Sequence, residues 1–374
     1  MDEFTQQPPE ENAPAACEPS VEPGYCEMPV PEPVADKKVA RRTFSRIGFA
    51  MCAILVVFNV IGNLWFLLPE LIWGSDNWFT GTSWGFWIGN FAPLYAVAIP
   101  VGFLIMAGLP AQKPESSKLS FWKLLGYIPV CMFLMYTGNI IGTLLSCVCS
   151  FGMAENGLME FAMDNNPLKI VVMVILAPIL EELVCRKLII DRTRQYGEKV
   201  TVILSALIFG LLHQNLFQFF YAFALGLVFG YIYLRTGRLR YTILLHGFLN
   251  FLGSVVAPWI MTLMGDTTAL ENIDPNATTE QLLEVLTPML PGLTVYLVYI
   301  ALLFGFSILG LVMFIFKVRK TKWQKVALPL PKGSAFSVVY LNVGMILYIL
   351  CCGFMIALSL LASLLASILQ NVVL

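Results

Sequence analysis

From residue 47 onward, long apolar runs alternate with short polar breaks. Nine runs can be marked, at 47–72, 86–109, 122–148, 168–190, 201–218, 220–235, 241–264, 290–316 and 336–368. Most have the length that crosses a bilayer, roughly 20 residues at ~1.5 Å each. The fifth and sixth runs are short and nearly continuous, and "HQNLFQFFY" holds their turn or the tip of a re-entrant hairpin. The pattern predicts an all-α fold: a polytopic transmembrane bundle of about nine spans.

Composition agrees. Of 374 residues 58% are hydrophobic and only 13% charged, against roughly 45–50% and about 25% in soluble domains. Residues 1–36 differ, being polar and rich in Pro and Glu. Such a segment buries too little surface to fold, so an acidic, disordered tail is expected, with no secretory signal. Two N-terminal spans (37–121), a core (122–264) and an acidic loop with two last spans (265–374) then complete the division.

Charge distribution orients the bundle. Lys37, Lys38, Arg41, Arg42 and Arg46 precede the first span, which puts the N-terminus in the cytoplasm. Nine crossings place 110–121, 191–200, 236–240 and 317–335 on the same side. Those segments are rich in Lys and Arg, whereas 73–85, 149–167 and 265–289 contain none. The basic residues come in short clusters between apolar runs, so no nucleic-acid partner is expected. The cysteines form no metal pattern: Cys17 and Cys26 fall in the tail, and Cys147, Cys149, Cys351 and Cys352 read as small packing residues. Asn276-Ala-Thr278 is a glycosylation triplet of the kind that also arises by chance.

Against this apolar background, "APILEELVCRKLII" (177–190) stands out. An ionised carboxylate in a span costs roughly 2.5–3.5 kcal/mol on insertion scales, and Glu181 and Glu182 are adjacent. Glu182 and Arg186 are one helical turn apart and can pair, whereas Glu181 has no local partner. The chain has two histidines, His213 and His246, both in apolar runs, and His246 and Asn250 share a helical face. At ~1.5 Å per residue, Glu181, His213, His246 and Asn250 all fall within ~8–18 Å of the cytoplasmic ends of their spans. They are expected to converge, with Glu181 facing His213. A carboxylate base, imidazoles and an amide donor are the groups that hydrolysis needs. A zinc site built from Glu181, His213 and His246 is an alternative, though no two of these share a helix at metal spacing, so no tightly bound metal is expected to be required. Proton relay in a carrier would use the same residue types.

These residues resemble the CPBP family of intramembrane proteases, which includes the type II CAAX prenyl endopeptidases and the bacteriocin-processing and immunity proteins. The family pattern E-E-x-x-x-R, F-x-x-x-H, H-x-x-x-N is present as Glu181-Glu182…Arg186, Phe209…His213 and His246…Asn250. The resemblance covers roughly 122–264. It implies an endopeptidase of the bacterial cell membrane acting on membrane-associated peptides. Glu181 and His213 would activate water, His246 and Asn250 would stabilise the oxyanion, and Glu182 with Arg186 would support them. Metal dependence stays open in the resemblance, as does a noncatalytic immunity or scaffold role.

The topology is testable with single engineered cysteines in whole cells. Positions in 110–121 and 317–335 should resist a membrane-impermeant thiol reagent, and positions in 265–289 should react. Labelling of 317–335 from outside would reverse the map.

Overall fold

The computed structural model describes residues 33–75, 77–154, 156–265 and 278–373. The tail to residue 32, with Cys17 and Cys26, and the triplet at Asn276 lie outside the described residues. Among the described residues there are helices and loops and no strand. The principal helices are α1 (Lys37–Trp73), α2 (Ser83–Met106), α3 (Phe121–Cys149), α4 (170–190), α5 (Glu198–Leu212), α6 (Leu216–Thr236), α7 (Leu239–Thr262), α8 (Thr279–Arg319) and α9 (Val343–Val373).

Each of the nine apolar runs forms a helix, but among the described residues only seven helices are long and apolar enough to cross a membrane by length and composition. The two others are α4 and α5. Charge disqualifies α4, where Glu181, Glu182, Arg186 and Lys187 crowd two turns. Length disqualifies α5: its 15 residues make only ~22 Å, short of the ~30 Å hydrocarbon core. Other boundaries shift too. The turn between α5 and α6 is confined to residues 213–215, and a break at 340–342 separates a short helix, Ala335–Val339, from α9.

In lipid, packing rather than water exclusion brings helices together, so close approach requires small residues. A Cβ on Gly344 of α9 would lie 1.9 Å from the Ser45 carbonyl oxygen of α1, and one on Gly48 would lie 2.3 Å from Gly344 itself. The backbones of α1 and α9 therefore touch. Gly138 and Gly142 of α3 do the same against α6 at Tyr221 and Leu216, and Gly310 of α8 meets Pro129 of α3. One apolar core joins α1, α2, α4, α5 and α9, and a second joins α3, α6 and α7.

The basic end of the bundle is tied by polar bonds. Asp191 accepts from Lys187 and from the Tyr233 hydroxyl, and Glu198 accepts from Arg235 and from the Gln324 amide. The segment after α8 is laced down by Leu328 N to Gln195 O (3.1 Å), Leu330 N to Tyr196 O (3.2 Å) and Ala35 N to Pro329 O (3.0 Å). At the opposite end Asp164 accepts from Ser83 and the Trp87 indole, tying α2 to the loop before α4.

Replacing Gly344 by Leu should destabilise the protein by about 1–3 kcal/mol or more, the usual range for overpacking. Gly305, with open space around its Cα, serves as control, and Gly305→Leu should be near neutral. Thermal unfolding in detergent checks both. Equal midpoints for the two variants would show that α1 and α9 do not meet backbone to backbone.

Candidate active site

Proline sets the geometry of α4. Residues 170–176 are wound as a π-helix, and the Ala177 N–H bonds back to Val172 O. Pro178 has no N–H, so the Met173 carbonyl is left without a donor from its own helix. The Asn250 side chain of α7 supplies one: its Nδ2 donates to Met173 O at 2.8 Å. Gly247, three residues earlier, lets the backbones close, since a Cβ there would stand 2.9 Å from Val174 O. "HGFLN" is thus the docking face of α7 on the proline break of α4, and it brings His246 against the glutamates.

Glu182 and Arg186 form the predicted pair. Both side chains are fully buried, and the contact is bidentate, Nε to Oε2 at 2.9 Å and Nη2 to Oε1 at 3.1 Å. Arg186 Nη1 donates to the Ser205 hydroxyl (2.9 Å), which donates in turn to Cys185 O (2.7 Å). The Phe209 ring lies 4.8 Å from the guanidinium and the Phe229 ring 5.8 Å. A cation that cannot shed its proton is therefore met by a carboxylate, a hydroxyl and two aromatic faces.

His246 bridges the two carboxylates. Its Nε2 is 3.8 Å from Glu181 Oε2, and its Nδ1 is 3.4 Å from Glu182 Oε1, without hydrogen-bond alignment in either case. The ring stacks on Phe229 at 5.7 Å and meets Phe209 edge-on at 5.5 Å. Glu181 itself is only partly covered, 19% exposed in its side chain. Its Oε2 is nonetheless buried and has no hydrogen-bond partner among the described residues.

His213 ends α5. Gln214 follows in the left-handed region at φ 55°, unusual for a residue with a side chain. Two contacts hold that turn: Asn59 Nδ2 of α1 donates to Gln214 Oε1 at 3.1 Å, and Asn215 Nδ2 donates to His213 O at 2.7 Å. The His213 ring meets Phe209 at 5.5 Å and Tyr221 at 6.4 Å.

One expectation needs correction. The histidine beside Glu181 is His246; His213 lies across Phe209 from it, and no direct contact joins His213 to Glu181. The cause is the kinked docking of α7 on α4, which spacing along separate helices does not encode. The Asn250 amide nitrogen donates one of its two hydrogens to the Met173 carbonyl. As to a metal, no three His, Cys, Asp or Glu side chains among the described residues converge at ligand spacing. Glu182 is already committed to Arg186. The residues present do not form a ready zinc set.

Sequence reasoning passed over Ser205, Phe229, Thr242 and Tyr221. A signal existed for two of them. Ser205, Phe209 and His213 recur at four-residue intervals, as do Thr242, His246 and Asn250, so each histidine shares one face of its helix with other residues of the site. Thr242 stands close to Glu182, and the Tyr95 and Tyr221 phenols are near enough to Glu181 to interact electrostatically.

Comparison with known proteins bears on the same segment. Residues 164–252 match the family described as type II CAAX prenyl endopeptidase Rce1-like, and Glu181, Glu182, Arg186, His213, His246 and Asn250 all fall inside. The chain is also similar to a Bacillus subtilis (strain 168) protein named "Putative membrane peptidase YdiL", 25% identical over 165 residues. That match takes in 42% of this chain and 66% of the relative, just under two thirds of its length. No solved structure matches the chain significantly.

The buried pair predicts a non-additive cycle. Glu182→Leu or Arg186→Met alone should cost about 3–5 kcal/mol, because each strands a charged partner in the core. The double change Glu182→Leu with Arg186→Met should recover most of that loss. Chemical unfolding of the four proteins measures the coupling, and additive losses would mean that the two side chains do not depend on each other.

Proposed function

Residues 164–252 being a domain of the CPBP family, related to the type II CAAX prenyl endopeptidases, we propose that this integral membrane protein is an endopeptidase hydrolysing membrane-associated substrates. The observation that carries the reading is the buried, unbonded Oε2 of Glu181 lying 3.8 Å from His246 Nε2. At that separation one water molecule can contact both atoms.

In this reading Glu181 takes a proton from the water as it attacks the scissile carbonyl. The C=O electrons move onto oxygen, and the tetrahedral intermediate collapses with breakage of the C–N bond. The proton passes to the leaving amine, giving a carboxylic acid and an amine, and the acid then gives its proton to the amine or to solvent. His246 steadies the water and the charge that develops on it. Glu182, fixed by Arg186, lies on the other ring nitrogen and sets the orientation of His246. This arrangement repeats the general logic of a base ordered by a third group. His213 stands toward the leaving group, beyond Phe209. Asn250 braces α4 at Met173 with one of its two amide hydrogens. None of these steps calls on a metal ion.

A groove of about 310 Å³ supports a substrate with an apolar portion. It is lined by Val174, Ile179, Leu244, Gly247 and Phe251, on the same two helices that carry Glu181 and His246. An apolar chain lying there would be held beside the glutamate helix within the bilayer. We read the basic end of the bundle as cytoplasmic, from the segregation of Lys and Arg.

Glu181→Gln keeps the size of the side chain and removes the base. On a panel of membrane-anchored peptides it should lower turnover by about 10²–10⁴-fold while the protein remains folded in the membrane, and treatment of the wild type with a chelator should leave turnover intact. Near-normal cleavage by Glu181→Gln would remove Glu181 as the base. Chelator-sensitive cleavage restored by one zinc per chain would overturn the metal-free reading.

A further inference from the structure

We propose that Asn59 of α1 is a positioning residue of this site, holding the turn that carries His213 through a hydrogen bond to Gln214. The inference rests on the endopeptidase reading and extends the site to a helix outside residues 164–252.

His213 caps the C-terminal end of α5, and Gln214 after it turns left-handed at φ 55°. A residue with a Cβ adopts that backbone at a cost, which contacts around it have to offset. The rest of α5 is fixed from other directions. Tyr348 of α9 donates to Ile208 O at 3.2 Å, and the Asn215 amide donates to His213 O at 2.7 Å. Neither bond reaches the Gln214 side chain. Asn59 does: its Nδ2 donates to Gln214 Oε1 at 3.1 Å.

This donor is preorganised. An amide nitrogen has two hydrogens, and Asn59 gives the other to Leu55 O of its own helix at 2.8 Å. That second bond fixes the side chain on α1 and aims it at the turn. The helix cannot slide, because its backbone touches α9 at Gly48 and Gly344. At ~1.5 Å per residue, Asn59 stands ~18 Å beyond Ile47, the start of its apolar run. An unpaired amide at that depth would be costly, so the pairing with Gln214 satisfies both helices.

The bond reaches the site in two steps. The His213 ring meets Phe209 at 5.5 Å, and Phe209 meets His246 at 5.5 Å. A turn released at Gln214 would leave α5 wound but would free its end residue, and the His213 ring would lose its single orientation. Misplacement by about 1 Å can cost a reaction roughly 10²-fold. A bond between amides on two membrane helices can also act as adhesive alone. The two roles separate by what they change. Adhesion alters how much protein is folded, whereas positioning alters kcat of each folded molecule.

The test uses the full chain in detergent and a membrane-anchored peptide that the wild type cleaves. Asn59→Ala should lower kcat per folded molecule by about 10–10²-fold, with KM within about twofold. Gln214→Asn suits the left-handed backbone at least as well but is one methylene too short to meet Asn59, and it should lose turnover in the same way. Asn59→Gln combined with Gln214→Asn restores the joint length and the donor–acceptor pair, and should return kcat to within about threefold of wild type. Asn63→Ala, which removes an amide bonded within α1 to Asn59 O at 2.7 Å, is the control and should keep wild-type turnover. A second readout needs no cleavage. The chain has two histidines, so an NMR spectrum of ring-labelled histidine carries two signals, told apart with His213→Gln. Asn59→Ala should shift or broaden the His213 signal and leave that of His246 in place.

Turnover per folded molecule within about threefold of wild type in Asn59→Ala overturns the inference alone and leaves the bond as adhesive. So does a double variant that fails to recover, which would trace the loss to something other than the pair. A wild type that cleaves no peptide overturns the endopeptidase reading. The His213 signal then still decides whether Asn59 holds the turn: unmoved in Asn59→Ala it overturns that, and moved it upholds it.

Discussion

Arg186 carries a charge that it cannot give up into a core where no water reaches it, and most of the site is arranged around that fact. Its guanidinium has five donors and no acceptor. Glu182 takes two of the bonds and Ser205 a third, and Phe209 and Phe229 face the cation. The same two rings enclose His246, and Phe209 also touches His213. Neutralising the arginine therefore fixes both imidazoles. It also distinguishes the adjacent glutamates. Glu182 is spent on the cation, whereas Glu181 keeps an unbonded oxygen.

A second constraint acts on the backbone. Pro178 removes one N–H from α4, and the π-turn before it has already redirected another, so a carbonyl is left without a partner in its own helix. Asn250 repairs that vacancy from the neighbouring helix. The repair ties α7 to α4 at one register, and His246, four residues before Asn250, comes with it. The position of the histidine is thus a by-product of a broken helix and its mending.

Much of this was legible in the sequence. Hydrophobic runs locate all nine helices, and four-residue spacing anticipates the Glu182–Arg186 pair. Rare polar residues in apolar runs mark the site, because each would be too costly without a partner. Which histidine meets Glu181 was not legible. That depends on the π-turn and on how closely Gly247 lets α7 approach α4, and neither depth nor periodicity reports a crossing angle. The Asn250 bond to Met173 was not legible for a related reason: nothing in the spacing pairs an amide on one helix with the missing N–H of Pro178 on another.

The two helices that fall short of ordinary spans, α4 by charge and α5 by length, are consecutive in the chain. Neither would leave the translocon for lipid readily on its own, since α4 exposes four charged side chains and α5 cannot reach across the hydrocarbon. Their satisfaction lies in each other and in the two helices after them: Arg186 needs Ser205 and Phe209 of α5, then Phe229 of α6, and Met173 needs Asn250 of α7. Biogenesis of this core is accordingly a concerted event. The ribosome must deliver residues 170 to 250 before the first of them is at equilibrium in the membrane, and the chain assembles its most polar helix last in energy although it is synthesised before its partners.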